Sequence, residues 1–171
     1  METPAMTAAT ASAQPDSSTR GLLARVVTAG LAGAAVDFVY ATTLGLIDGR
    51  GPLRVWQGVA SGWLGRAAGE GGLASAGLGL VTHVGIATCM AGAYALAAKR
   101  LPILYRRPLL IGALYGLPLY GVMYRIVLPL RWPGIFPKWE GVTSVLDVLA
   151  HVGVGLAIAF VLSRHRGAQS S

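Results

Sequence analysis

The sequence predicts an all-α membrane protein: a bundle of four transmembrane helices with a short amphipathic helix between the first and the second. Three observations carry this. Hydrophobic residues make up 54% of the 171 and charged residues only 12%, about half the charged fraction of a water-facing domain. The apolar residues fall in four long, nearly charge-free blocks instead of at the spacing of soluble helices or strands, which marks membrane-crossing segments. The net charge of +7 is gathered in short clusters at the block ends, where lipid head groups lie. It forms no basic stripe or domain of the kind that binds nucleic acid, so no nucleic-acid partner is expected.

Taken in order, residues 1–19 are small and polar. They have neither the basic start nor the apolar core of a secretory signal, and read as a disordered tail. The first helix is then expected to stay in place as an anchor. The transmembrane domain occupies 20–166, with spanning blocks at 22–47, 72–98, 109–130 and 142–163, and 167–171 form a second polar tail. Each block is long enough to cross a hydrocarbon layer of about 30 Å.

Between the first two blocks, 53–66 is too short to span. Its apolar residues, among them Leu53, Trp56, Val59, Ala60 and Trp63, recur at helical spacing with Arg54, Gln57 and Ser61 on the remaining face. That is the pattern of a helix lying in the membrane surface, with Trp56 and Trp63 as anchors at head-group level. In the loop 131–141, Pro133 and Pro137 break helix while Trp132 and Trp139 supply two more interfacial anchors.

Orientation follows from the basic residues near the block ends. One side holds Arg20, Arg25, Lys99, Arg100, Arg106, Arg107, Arg164 and Arg166; the other holds Arg50, Arg54, Arg66, Arg131 and Lys138. The excess of positive charge places both termini and the 99–107 loop in the cytoplasm. Twelve of the fourteen basic residues are Arg, in a chain rich in Ala, Gly and Pro. Such usage suits a GC-rich bacterial genome, so the membrane expected is the bacterial inner membrane.

Five ionisable residues fall inside the blocks: Asp37, His83, Arg125, Asp147 and His151. A charged one costs about 2.5–3.5 kcal/mol at mid-membrane, a cost usually tolerated only where such groups face one another or water. At a rise of about 1.5 Å per residue, Arg125 and Asp147 lie about 8 Å from the far surface, and Asp37, His83 and His151 about 13–17 Å. All four helices therefore contribute to one polar layer in the same half of the bilayer. Small residues flank the layer on each helix: Gly30, Gly33 and Ala41 around Asp37; Gly79 and Ala87 around His83; Ser144 and Gly155 around Asp147 and His151. Small residues mark close helix approach, so the layer is expected to point inward. Matched depth predicts an ion pair between Arg125 and Asp147, with Tyr120 and Tyr124 as nearby hydroxyl donors. The four-residue step from Asp147 to His151 allows a side-chain hydrogen bond on one helix face. Gly112 and Gly116 form a GxxxG pair, and Pro118 is expected to kink the third helix.

The stretch from Met123 through Pro129, the Pro-rich loop, Trp139, Glu140 and the Asp147-x-x-x-His151 step resembles the YagU-type bacterial inner-membrane proteins over about a third of the chain. An acid four residues before a histidine opens their last helix too, although here the acid is Asp and not Glu, and their connecting segments are longer. The resemblance implies location and topology and brings no activity with it.

No catalytic motif is present: no GxSxG, no phosphate-binding loop, no dinucleotide fingerprint. Cys89 is the only cysteine, which excludes an intrachain disulfide; its place in an apolar block makes it a packing residue. The polar layer reads first as structural glue between helices. A small proton- or ion-conducting transporter is the alternative, working as an oligomer or with a membrane partner because four helices enclose little space. A less favoured third reading sets His83 and His151 as haem ligands, or adds Asp37 and Asp147 for a metal. No cofactor and no metal is assigned, and the lipid bilayer is the one partner the composition requires.

Overall fold

The computed structural model describes residues 17–167; most of the two expected polar tails lies outside them. Within the described residues every regular element is helical. Helix α1 spans Ser17–Ile47, α2 Pro52–Leu64, α3 Gly72–Arg100, α4 Ile103–Arg106, α5 Pro108–Val122, α6 Leu128–Arg131 and α7 Val142–Gly167. Four stretches are long and apolar enough to cross a membrane: Thr19–Ile47, Gly72–Arg100, Pro108–Arg131 and Val142–Arg164. The protein is an all-α bundle of four potential membrane spans. Its first helix begins five residues earlier than the apolar block, because helix continues through polar residues that hydropathy does not count.

Local chemistry explains several boundaries. Pro52 and Pro108 stand at the first turns of α2 and α5, where a missing N–H costs nothing and a fixed φ favours helix. Gly65 closes α2 at φ 58°, a left-handed angle that favours glycine, and returns its N–H to the Ser61 carbonyl. The third span is not continuous α-helix. Between α5 and α6, Met123–Val127 form a π turn. Pro129 has no N–H to offer the Arg125 carbonyl and its ring crowds that carbonyl, and the wider turn falls where this conflict lies.

Helix α7 is central, with α5 on one side and α1 on the other; α3 packs on the far side of α1, and α2 lies on α3. Glycines set the tightest contacts. Gly116 sits on the Val152 backbone and the His151 carbonyl, and Gly155 sits on the Gly112 carbonyl, so α5 and α7 touch without an intervening side chain. The GxxxG pair is thus a packing face, as its spacing allows. At the end of the bundle holding the start of α1 and the end of α7, the terminal end, Ala29, Ala91, Tyr94, Ile158, Ala159 and Leu162 form a closed core. There Tyr94 meets the edge of Tyr115 at 5.0 Å, and the Tyr115 hydroxyl donates to the Met90 carbonyl at 2.8 Å.

Helix α2 covers the opposite end, the loop end. Two expectations are corrected here. Trp56 is no head-group anchor: it is 6% exposed and stacks on Phe38 of α1 at 4.8 Å. Amphipathic spacing identifies the face of a helix but not what covers it, and Gly79 of α3 lets the Trp56 carbonyl come into backbone contact. Trp63, one heptad later, remains 65% exposed. Cys89, expected to pack inside, is exposed on α3.

The glycine contacts give a direct test. Gly116→Ala introduces a methyl group into the α7 backbone and should cost about 1–3 kcal/mol. Gly121→Ala, on the same helix but with open space around it, should be neutral or slightly stabilising. Unfolding of both variants in detergent, followed by helical circular dichroism, measures the difference.

Candidate functional site: an intramembrane cavity

From the closed core at the terminal end, α3 and the third span part toward the loop end, and the space between them is not filled by side chains. It is a cavity of about 570 Å³. Its walls come from α1 (Asp37, Tyr40), α3 (His83, Met90), the third span (Tyr124, Val127) and α7 (Asp147, His151), with Val55, Val59 and Trp63 of α2 above. Four of the five residues of the expected polar layer therefore line one cavity. They do so as two separate pairs.

The first pair joins α1 to α3. His83 places Nε2 3.1 Å from the Ala34 carbonyl. A carbonyl only accepts, so Nε2 carries a hydrogen and donates it. Nδ1 then faces Asp37 Oδ2 at 3.6 Å. A bare Nδ1 would turn its lone pair toward the carboxylate; a proton on either partner makes the contact attractive. Trp56 packs against the imidazole at 5.0 Å, fixing its plane.

The second pair lies on α7. Asp147 is 7% exposed, and its Oδ1 accepts the Tyr40 hydroxyl at 2.6 Å. The Tyr124 hydroxyl is directed at the same carboxylate. His151 does not bond the Asp147 side chain, as the four-residue step suggested; its Nδ1 donates to the Asp147 backbone carbonyl at 2.8 Å. That bond fixes the tautomer and leaves Nε2 toward the cavity. The edges of Tyr120 and Tyr124 hold the ring, each at 5.8 Å.

Arg125 is not part of the site. It is exposed, and no ion pair joins it to Asp147. Depth counting placed the two residues level, but height does not fix the side of the helix. Tyr120 and Tyr124, one turn apart, occupy the face toward α7, and Arg125 follows about 100° further round. The hydroxyls on the adjacent helices supply what the guanidinium was expected to give. Tyr40 is the residue that sequence reasoning missed; it lies three positions after Asp37, on the same helix face.

Of the remaining anchors, Trp63 and Trp132 line the cavity. Trp132 donates its indole N–H to the Ser61 hydroxyl at 3.0 Å, and the Arg131 guanidinium lies 5.0 Å over the Trp63 ring. Trp139 is exposed at 62%. Ser144 is buried and accepts the Glu140 N–H at 2.8 Å, closing the first turn of α7. Among the described residues no three His, Cys, Asp or Glu side chains gather as a metal-ligand group. Both nitrogens of His83 are engaged, so a two-histidine haem site is not served by this geometry.

The chain matches no protein-family model, no curated protein and no solved structure.

Tyr40→Phe removes the bond to a buried carboxylate and should destabilise the bundle by about 1–2 kcal/mol. Arg125→Ala should change stability by less than about 0.5 kcal/mol. Had Arg125 paired with Asp147, the order would be reversed. Denaturant titration in micelles ranks the two.

Proposed function

We propose that this is a multi-pass protein of the bacterial inner membrane, with cytoplasmic termini, that holds a small lipophilic molecule in the cavity between α3 and the third span. One observation carries the reading: Asp37 and His151 line a volume of about 570 Å³ that no side chain fills. A layer serving only as glue has no use for such a void, since an unfilled volume forfeits dispersion contacts around its whole lining. The size is that of a small-molecule pocket, and apolar walls with a few convergent polar groups are the usual character of such sites.

Part of the glue reading survives within this one. Asp147, Tyr40 and Tyr124 tie α7 to α1 and to the third span. Conduction of protons or ions through a single chain has less support. Ala29, Ala91, Tyr94, Ile158 and Ala159 are at most 2% exposed and fill the terminal half, so the cavity meets packed apolar residues there. The inner-membrane location and its orientation rest on the charge clusters, the Arg-rich composition and the YagU-type resemblance.

Trp63 and Trp132 line the cavity and serve as built-in donors for energy transfer to anthracene. Probes carrying an ammonium, an alcohol or a carboxylate on the anthracene ring are added to the protein in phosphatidylcholine nanodiscs, with empty nanodiscs as the blank. At least one should give saturable transfer with one probe per chain. Ala41→Phe and Ala87→Phe, which fill the cavity from α1 and α3, should weaken it at least tenfold. Transfer that never saturates, or that both filled variants retain, rules out occupancy of the cavity.

A further inference from the structure

The cavity has an unusual balance of hydrogen-bonding atoms. Away from the two arginines at its mouth, its wall donors are already spent. Tyr40 donates to Asp147 and Tyr124 is directed there as well. His83 Nε2 donates to Ala34 and His151 Nδ1 to the Asp147 carbonyl. Trp63 donates to Thr82, and Thr82 to Leu78; Trp132 donates to Ser61. What remains facing the inner part of the void accepts: the Asp37 carboxylate, His151 at Nε2 in its neutral form, and the remaining lone pairs on Asp147. An inner wall whose free groups accept is complementary to a molecule that brings N–H donors and positive charge.

Charge points the same way. Around Asp37 the ionisable groups are Tyr40 on α1, His83 on α3, Tyr124 on the third span, and Asp147 and His151 on α7. Helix α2 adds none, since Arg54 turns away to the Gly69 carbonyl. The two cations at the mouth are Arg50, bound to Asp48 at 2.7 Å, and Arg131, laid over Trp63. Deeper in, there are two carboxylates and no fixed cation. Asp147 is satisfied by tyrosine hydroxyls, whereas Asp37 has only His83, at 3.6 Å. A half-buried carboxylate this poorly partnered favours a counter-charge.

Resting on the reading of the cavity as a binding site, we propose that its occupant is a lipophilic ammonium, an apolar body carrying an N–H⁺ group, taken up against the Asp37 carboxylate. Tyr124, Trp63, Trp132 and Phe136 on the cavity wall present ring faces and edges to the apolar body, and aromatic faces also favour a cation.

The test uses the same nanodiscs and energy transfer, comparing anthracene-methylamine, anthracene-methanol and anthracene-carboxylate. The ammonium should bind at least tenfold more tightly than the alcohol, and the carboxylate should not bind. Asp37→Asn should abolish the preference for the ammonium. If that variant does not fold, the probe series on wild type decides alone. Equal binding of alcohol and ammonium overturns the ammonium proposal and leaves the cavity reading standing. Tightest binding of the carboxylate overturns it in favour of recognition by Arg131. Saturable binding of none of the three overturns both readings together.

Discussion

Where Gly112 and Gly116 of α5 meet Gly155 and Val152 of α7, two helix backbones touch with nothing between them, and the shape of the bundle follows from that contact. Packing in a membrane has no hydrophobic drive to help it and depends on close approach. The contact pins the third span to α7. On its other side α7 receives Gly33 of α1, which faces the Val154 and Ile158 side chains with no room for a side chain of its own. Gly30 then brings α1 onto Thr88 of α3. The four spans thus form an arc, α5 to α7 to α1 to α3, and not a closed ring. Tyr94 and Tyr115 close the arc at the terminal end; at the loop end its two tips stay apart. The cavity is the open side of that arc.

The polar groups on the cavity wall illustrate how a membrane interior accommodates ionisable residues. Each would cost about 2.5–3.5 kcal/mol alone. The protein lowers that cost in two unequal ways. Asp147 is surrounded: it accepts the Tyr40 hydroxyl at 2.6 Å, and Tyr124 lies beside it on the cavity wall. Both histidines are oriented by backbone carbonyls, which leaves one nitrogen of each directed by the fold and not by chance. Asp37 is treated differently, with a single imidazole beyond hydrogen-bonding distance and a quarter of its side chain exposed. The contrast between two carboxylates on neighbouring helices separates a structural acid from one left available.

Much of this was legible before any coordinates. Block length and charge distribution give the four spans, because hydrocarbon thickness dictates helix length. Counting along the helices gives the depth of Asp37, His83, Asp147 and His151, because the rise per residue is constant. The face is harder to read. Arg125 lies at the right height and on the wrong side, within a π turn that no periodicity announces. Trp56 and Trp63 share one face of α2, yet one stacks on Phe38 and the other is exposed; the difference is made by Gly79 on another helix. The partner of His151 is a backbone carbonyl on its own helix, and residue spacing carries no information on whether a side chain or a main chain accepts. The cavity itself arises from an arc of pairwise contacts and has no local sequence signature.

The role of α2 follows from how unequally it is attached. Toward α3 it is held by backbone contact at Gly79, by the Gln57 amide on the Gly72 carbonyl at 3.1 Å, and by Trp56 wedged against Phe38 and His83. These join it firmly to the α1 and α3 side of the arc. Toward the third span it is held by one hydrogen bond, Trp132 to Ser61, and one cation–π contact, Arg131 over Trp63. Such contacts are worth about 0.5–1.5 kcal/mol each. The roof of the cavity therefore belongs to α3, the facing wall belongs to α7, and the seam between them rests on these two contacts. That seam lies over the same cavity that Asp37 and His151 line. An amphipathic segment that hydropathy assigns to the membrane surface is, in this fold, the cover of an intramembrane site.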